Sequence, residues 1–191
     1  MKHFAIGPFH PMGGFESKHQ CLEWLDKQEK GSVMYVSFGS TTSLTHDQIQ
    51  ELAKGLDECG QKFIWVLRKA DSNDIFARDD NGDVMKEHQL PQGYEEKVKN
   101  KGIVIRDWAP QIEILAHKSV GAKECYFVSE VLRVGVMVRD WAHRSELVMS
   151  NSIENAVKKL MVSKEGMEMK ERAVKLGEAI KKSTSKGGAS F

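Results

Sequence analysis

Residues 102–122 read GIVIRDWAPQIEILAHKSVGA, and this segment decides the fold class of the chain. Its first five residues, 102–106, carry the β-branched side chains of a buried parallel strand. Pro110 fits the first turn of a helix, where its missing N–H leaves no hydrogen bond unmade. The segment therefore predicts a strand followed directly by a helix, with Trp108 between them. In open α/β sheets, ligands bind at this end of the strands.

Trp108 admits two interpretations at this position. A flat apolar ring at a strand end can stack on a nucleobase, and it can also close the hydrophobic core. Spacing alone favours closure of the core. For the helix that follows, we predict a buried face formed by three apolar residues, Ile112, Leu115 and Ala116.

The chain before this segment alternates strands and helices. Residues 32–38 and 62–68 predict two strands, and between them Thr45 and Gln48 have the spacing of a capping box. The helix that starts there places four apolar residues on one face: Ile49, Leu52, Ala53 and Leu56. Strand, helix and strand at this spacing form a βαβ unit, which predicts a parallel sheet and an α/β fold.

The remaining elements are predicted from the same signals. In chain order they are a helix over 21–26, a helix after Pro91, a helix over 123–132, a strand over 135–138, a helix capped by Ser145 or Ser150, and a helix over 167–182 after Gly166. The last helix has an apolar stripe that we expect to pack on the core: Met169, Ala173, Leu176 and Ile180. Residues 69–90 predict a surface insertion, because their acidic run lacks the closing Glu of a calcium loop.

Composition excludes several functional classes. The chain has 191 residues, with 28 basic and 27 acidic side chains and a formal net charge of +1. It therefore lacks the electrostatic footprint of proteins that bind nucleic acids or anionic membranes. Three widely spaced cysteines, Cys21, Cys59 and Cys125, predict reduced thiols rather than disulfides or a zinc site. No apolar run suits a signal peptide or a membrane span, so we expect a cytoplasmic protein without a bound metal.

The familiar phosphate-binding and hydrolase motifs, a P-loop, GxGxxG, HExxH and GxSxG, are absent. What remains is Gly39-Ser40 after the first strand, where the Ser40 hydroxyl and nearby N–H groups can hold a phosphate. Together with Trp108 at a second strand end, Ser40 outlines a nucleotide site. Gln111 can hydrogen-bond a ribose hydroxyl, although such a helix position is more often merely solvated. The histidines near the start, His3, His10 and His19, have no metal-like spacing and are expected to be solvated.

The same segment also resembles a known signature. Trp108-Ala109-Pro110-Gln111, then Leu115, His117 and the run from Ser119 to Ala122, resembles the opening of the signature box of plant family 1 UDP-sugar glycosyltransferases. Three further stretches, over 21–26, 32–40 and 128–136, resemble the first helix, the first strand and the post-box region of that family's C-terminal half. With residues 2–8, the pattern is most similar to the cytokinin (zeatin) O-glucosyltransferases.

This resemblance implies a domain plan. Such enzymes have the GT-B fold, in which two Rossmann-like domains enclose the active site, and the C-terminal domain binds the UDP-sugar. We expect residues 1–20 to be an interdomain linker remnant, 21–182 to form an incomplete Rossmann-like domain, and 183–191 to be a flexible tail. The N-terminal domain, which supplies the acceptor site and the catalytic His, is expected to be absent.

The resemblance also assigns roles to residues. Trp108 would stack on uracil, the Ala109 backbone would meet the edge of the base, Gln111 would bind the ribose and Ser40 the diphosphate. None of these residues is catalytic, and no cofactor is implied besides the donor substrate, UDP-glucose or UDP-xylose. The acceptor would be a small hydroxylated molecule such as a cytokinin, and full-length relatives would transfer the sugar by direct displacement with inversion.

The chain departs from the family after Ala122. The box should continue with a His-Cys-Gly-Trp-Asn-Ser run, a ribose-binding Glu and a sugar-binding Asp-Gln pair, but here Lys123 follows and the post-box region begins. We therefore expect a deletion near 122/123. Charge-assisted contacts to the diphosphate contribute roughly 1.5–3 kcal/mol each, so their loss predicts weak UDP-sugar binding, reduced stability and impaired activity. The alternative is a non-catalytic remnant, which binds nucleotides weakly or serves as a partner protein.

Overall fold

The computed structural model describes residues 19–38, 44–67, 90–106, 108–122, 135–136, 138–139, 141–143 and 146–184. Within these residues the chain forms one sheet of four strands: β1 Val33–Val36, β2 Lys62–Val66, β3 Gly102–Ile105 and β4 Val120–Ala122. The strand order is β3-β2-β1-β4, and each neighbouring pair is parallel. The chain moves outward from β1 to β3 and then returns to the other side of β1. This α/β arrangement, with its change of direction at β1, confirms the predicted Rossmann-like fold.

The helices pack on both faces of the sheet. They are α1 Gln20–Asp26, α2 His46–Glu58, α3 Tyr94–Val98, α4 Gln111–Ala116, a 3₁₀ helix at Trp141–His143, α5 Ser150–Val162 and α6 Lys164–Thr184. Successive β2 side chains point to opposite faces, as the period of a strand requires. Phe63 and Trp65 lie in a core with α2, α3 and α5, whereas Ile64 and Val66 lie in a second core with α1 and α4.

The βαβ unit forms as predicted. Thr45 is the N-cap of α2, and its Oγ1 accepts a hydrogen bond from the Gln48 N–H at 3.2 Å. The four residues of the predicted buried face, Ile49, Leu52, Ala53 and Leu56, are all buried. The Gln48 amide, however, pairs with the backbone of Val148 through Nε2–O at 3.2 Å and Oε1–N at 3.0 Å. Gln48 therefore ties α2 to the segment that precedes α5.

The predicted face of α4 is wrong in part. Ile114 is the residue that the helix buries completely, whereas Ile112 is 45% exposed and Ala116 is also exposed. Leu115 is half-buried and packs against the second core, as expected. The difference arises because α4 has only six residues and begins at Gln111. A helix this short turns one narrow side towards the core, and its packing against α1 and the sheet decides which side that is.

Two predictions near the start of α5 are also wrong. Gly135, Val136 and Val138 belong to no strand, although Val138 packs against the first core. A short apolar run can pack in this way without pairing with a strand. The N-cap of α5 is Met149, rather than either predicted serine. Met149 provides no side-chain cap, and a residue of α2 takes over this role. The Glu51 carboxylate accepts a hydrogen bond from the Ser150 N–H at 2.5 Å.

The last helix is longer than predicted. It begins at Lys164, so Gly166 lies in its first turn, and it continues to Thr184 into the predicted tail. Of the predicted core stripe, Met169 is buried, Leu176 is half-buried, and Ala173 and Ile180 are exposed. The apolar period identified an amphipathic helix correctly, but it could not show how much of the helix has a packing partner.

Several predictions lie outside the described residues. These are the linker up to residue 18, the surface insertion over 69–89, the helix over 123–132 and the end of the tail. Among the described helices, none has both the length and the apolar character that crossing a bilayer requires.

Candidate nucleotide site

The site begins with a sharp turn after β3. The Gln111 N–H donates a hydrogen bond to the Ala109 carbonyl at 2.8 Å, and Pro110 lies between them with φ −73° and ψ 74°. These angles define an inverse γ-turn. Pro110 is thus the N-cap of α4, rather than part of its first turn as predicted. The proline ring holds φ near this value without needing an N–H donor, so the sequence itself favours the turn.

Trp108 projects from this turn into solvent. Its side chain is 63% exposed, so the interpretation that it closes the core is wrong. Ala109, the next residue, packs partly into the second core and Pro110 is buried. The backbone on which Trp108 stands is therefore anchored, while much of the indole surface remains accessible. An exposed tryptophan on an anchored backbone is an arrangement suited to stacking on a flat ligand.

A histidine that the sequence analysis missed contacts Trp108. The rings of His19 and Trp108 have centroids 6.3 Å apart and planes inclined at 68°, an edge-to-face arrangement. His19 is also the N-cap of α1, where its Nδ1 accepts a hydrogen bond from the Cys21 N–H at 3.3 Å. The prediction that His19 is solvated is wrong. Its position just before a helix could have indicated a cap, but no local pattern indicates a contact with Trp108.

The His19 ring is held by a buried thiol as well. Cys21 Sγ lies 3.0 Å from His19 Nδ1. Burial raises the pKa of the Cys21 thiol to about 11, so the sulfur stays protonated at neutral pH and can act as a second donor. Because two donors converge on Nδ1, the neutral ring carries its proton on Nε2.

The second part of the signature segment has a structural role. His117 Nδ1 accepts a hydrogen bond from the Ser119 N–H at 3.2 Å, which leaves Nε2 to donate to Asp26 Oδ1 at 3.2 Å. Ser119 is completely buried, and its hydroxyl lies within hydrogen-bond distance of two carbonyl oxygens, Leu25 at 2.9 Å and Gln28 at 3.0 Å. These side chains attach the start of β4 to the end of α1.

Gly121 completes this attachment. A β-carbon on Gly121 would lie 2.4 Å from the Gly31 carbonyl oxygen, which is closer than any side chain allows. The loop after α1 also bonds to the residues before β4, through Gly31 N to Lys118 O at 3.0 Å and Val33 N to Ser119 O at 2.9 Å. His117, Ser119 and Gly121 therefore stabilise the fold. The residues at the start of the segment are the ones that form its accessible surface.

The structure brings together three of the four predicted site residues. Trp108, Ala109 and Gln111 belong to one turn, and the exposed Gln111 is the first residue of α4. Ser40 lies outside the described residues, which stop at Phe38 after β1. Because β2 separates β1 from β3, the ends of those two strands lie about 10 Å apart. The roles assigned to the four residues stay predictions.

A basic residue next to the turn is paired with a carboxylate. Arg106, directly after β3, donates to Glu95 Oε1 from Nε at 2.8 Å and from Nη2 at 2.6 Å. Both side chains are about half exposed, so this pair adds little stability. It does engage the cation that lies nearest to Trp108 in the sequence.

Comparison with known proteins agrees with the signature. Residues 16–137 match the family model described as UDP-glucoronosyl and UDP-glucosyl transferase. The chain is 45% identical to a zeatin O-glucosyltransferase of Phaseolus lunatus over 99% of its length, and 45% identical to a zeatin O-xylosyltransferase of Phaseolus vulgaris over 98%. These matches confirm the resemblance to plant glycosyltransferases of the zeatin type.

Solved structures support the same conclusion. The chain superposes on the crystal structure of TcCGT1 in complex with UDP with a TM-score of 0.82 and 27% identity, covering 98% of this chain and 47% of that one. It superposes on apo UGT2 of Phytolacca americana with a TM-score of 0.77 and 30% identity, covering 98% and 46%. The fold is therefore that of part of a GT-B glycosyltransferase.

Coverage of the relatives is partial in two ways. The chain spans about half of the curated relatives that it matches, 48% of the Phaseolus lunatus protein. The alignment with that protein also extends over 226 positions, whereas the chain has 191 residues. An alignment longer than the chain must contain positions at which the relative has residues that this chain lacks.

Proposed function

This chain belongs to the UDP-glucoronosyl and UDP-glucosyl transferase family, and from that premise we propose that it forms the UDP-sugar-binding part of a glycosyltransferase. The observation that carries the proposal is Trp108, a 63% exposed indole on an anchored turn at the carboxyl end of β3. Its place in the fold is where α/β domains bind nucleotides, and its surroundings in sequence are those of the family signature.

In this proposal each site residue contacts one part of the donor. Trp108 stacks on the uracil ring, the Ala109 backbone meets the edge of the base, and Gln111 hydrogen-bonds the ribose. Ser40, which follows β1 at the same edge of the sheet, binds the diphosphate. Two observations support this assignment of donor groups to residues. Trp108, Ala109 and Gln111 share one turn, and the separation between the ends of β1 and β3 leaves room for a ribose between the base and the phosphate.

The relatives support a proposal for the sugar and the acceptor. The two Phaseolus relatives are described as zeatin O-glucosyltransferase and zeatin O-xylosyltransferase. We accordingly propose UDP-glucose or UDP-xylose as the donor, and a hydroxyl group of a small molecule such as a cytokinin as the acceptor. The cytoplasm remains the expected compartment, on the grounds of the widely spaced cysteines.

We further propose that the chain alone binds its donor weakly. The gaps in the alignment with the Phaseolus lunatus protein support a deletion, and the break in the signature after Ala122 supports a position near 122/123. That deletion removes the diphosphate-binding part of the signature and retains the uracil-binding part. The same gaps favour a second candidate, a non-catalytic remnant that binds nucleotide or acts as a partner protein.

Calorimetric titration of the chain with UDP-glucose tests the proposal. Stacking of a base on an aromatic side chain contributes roughly 1–3 kcal/mol, so Trp108→Ala should weaken binding about 5- to 150-fold. Val174→Ala is the matched control, since Val174 is a 54% exposed apolar residue on α6. Equal affinity of Trp108→Ala and the wild type would overturn the assignment of the uracil site.

A turnover assay separates the two candidates. Labelled UDP-glucose or UDP-xylose is incubated with the chain and zeatin, and glycosylated product is measured. Slow product formation that Trp108→Ala abolishes would support an impaired transferase. Binding of UDP-glucose without any product would support the non-catalytic remnant.

A further inference from the structure

His19 connects the buried core to the proposed nucleotide platform. On one side, its Nδ1 receives the Cys21 N–H at 3.3 Å and lies 3.0 Å from Cys21 Sγ, and Cys21 is only 1% exposed. On the other side, its ring meets Trp108 edge to face, with centroids 6.3 Å apart. The imidazole therefore spans the distance between a rigid point in the core and an indole that is largely exposed.

We infer that His19 is a positioning residue, which fixes the orientation of the Trp108 ring for stacking on a nucleobase. This inference rests on the proposed function of Trp108. An exposed tryptophan on a turn has several rotamers of similar energy, and a ligand that stacks on one of them must first select it. A ring held edge-on against Trp108 favours one rotamer and leaves indole surface accessible to the ligand.

The position of His19 in the sequence makes the arrangement specific. Position 19 must accept a hydrogen bond to cap α1, and Ser, Thr, Asp and Asn serve that purpose as a rule. Histidine caps through Nδ1 and at the same time presents a flat ring beyond the helix end, which the usual caps cannot do. The two roles use different parts of the side chain, so substitutions can separate them.

Two variants distinguish positioning from capping. His19→Asn retains an acceptor suited to the N-cap and removes the ring. His19→Phe retains a ring that can meet Trp108 edge to face and removes the acceptor. If His19 positions Trp108, loss of the ring should lower the affinity for UDP. Loss of the hydrogen-bond acceptor should lower the stability of the chain.

The measurement uses the full chain labelled with 5-fluorotryptophan, in which the fluorine resonance of Trp108 is assigned from the variant Trp108→Phe. In His19→Asn we expect the Trp108 resonance to shift, the melting temperature to be retained, and the affinity for UDP to fall about three- to tenfold, the range expected for one lost aromatic pair. His19→Phe keeps a ring at this position but loses the Nδ1 contacts that hold it, so we expect a lower melting temperature and an affinity for UDP between those of the wild type and His19→Asn. His19→Ser serves as a second variant with a cap and no ring, should His19→Asn fail to fold.

The outcomes also separate this inference from the proposed function. A Trp108 resonance and UDP affinity that are unchanged in His19→Asn would overturn the positioning role. If the wild-type chain does not bind UDP, the proposed function fails, and the resonance alone then decides whether His19 orients Trp108. A shifted resonance with unchanged UDP affinity would show a contact without consequence for binding, and would also overturn the inference.

Discussion

Gly121 lies against the backbone of Gly31, and a β-carbon on Gly121 would stand 2.4 Å from the Gly31 carbonyl oxygen. The neighbouring atom is backbone, and Gly31 itself has a φ of +65°, so neither side can move away easily. This contact joins the loop after α1 to β4. It shows that a glycine within a family signature can be required for packing rather than for binding a ligand.

Gly121→Ala should therefore destabilise the chain. Forcing a methyl group into this contact shifts backbone on both sides, which costs about 1–3 kcal/mol. The control is Gly177→Ala, because a β-carbon on Gly177, in α6, would have no neighbouring atom within 4 Å, and alanine there should stabilise the helix by about 1 kcal/mol. Urea denaturation followed by circular dichroism measures both, and equal stability of the two variants would contradict the packing role.

Glu51→Ala should loosen the start of α5. The Glu51 carboxylate replaces the missing side-chain cap by accepting from the Ser150 N–H at 2.5 Å, and loss of a cap costs about 1 kcal/mol. Glu51→Gln keeps an acceptor at the same place and is the matched control, expected to retain most of the stability. Thermal melts of the two variants decide the point. An alanine variant as stable as the glutamine variant would show that solvent satisfies the Ser150 N–H equally well.

Asp57 should make stability depend on pH. Burial alone would raise the pKa of this carboxyl, but hydrogen bonds from Lys101 and Lys97 outweigh burial and lower the pKa below its ordinary value of 3.8. Lys101 Nζ lies 2.7 Å from Asp57 Oδ1 and 2.7 Å from the Asp57 carbonyl oxygen, and Lys97 pairs with Oδ2. The ion pairs thus join the end of α2 to α3 and the start of β3.

The stabilisation from a lowered carboxyl pKa is present in full above the unfolded value and disappears as the pH falls through the lower folded value. We expect Asp57→Asn to reduce the free energy of unfolding at pH 7 by about 2 kcal/mol, and the difference from the wild type to vanish in strong acid. Glu168→Gln, at an exposed position on α6, provides the comparison. A difference that persists unchanged in acid would mean that the loss comes from packing and not from charge.

Much of the fold was predictable from the sequence because its patterns are local. The apolar period of α2, the Thr45 cap and the β-branched runs of β1, β2 and β3 each depend on a few neighbouring residues, and these predictions were confirmed. The apolar run over 135–138 has the same local pattern but forms no strand among its described residues. The face of α4 and the cap of α5 depend on atoms elsewhere in the chain. Glu51 lies almost one hundred residues before the N–H that it caps, and no local pattern contains that information.

The turn that carries three of the candidate site residues was predictable because its signal is local, whereas their roles stay predictions. Trp108, Ala109 and Gln111 belong to one continuous motif, so the sequence could place them together. His19 contacts Trp108, which lies 89 residues later in the sequence. Its place before α1 could have indicated a cap, but no local pattern contains the contact with Trp108. The division of the signature segment, with Ser119 and Gly121 in the fold and Trp108 on the surface, required the hydrogen bonds and burial that the structure supplies.

In the proposed function residues 108–111 bind the nucleotide, whereas the burial and hydrogen bonds of residues 117–121 assign them to the stability of the fold. The most direct test measures UDP affinity and unfolding free energy side by side in Trp108→Ala and Ser119→Ala, with affinity determined where each variant is fully folded. We expect Trp108→Ala to lose affinity and keep its stability, because its side chain is 63% exposed. Ser119→Ala should lose about 1–2 kcal/mol of stability, because it removes a buried hydroxyl that lies within hydrogen-bond distance of two carbonyl oxygens. Its affinity for UDP should stay unchanged. Loss of both properties in both variants, or loss of affinity in Ser119→Ala alone, would contradict the account.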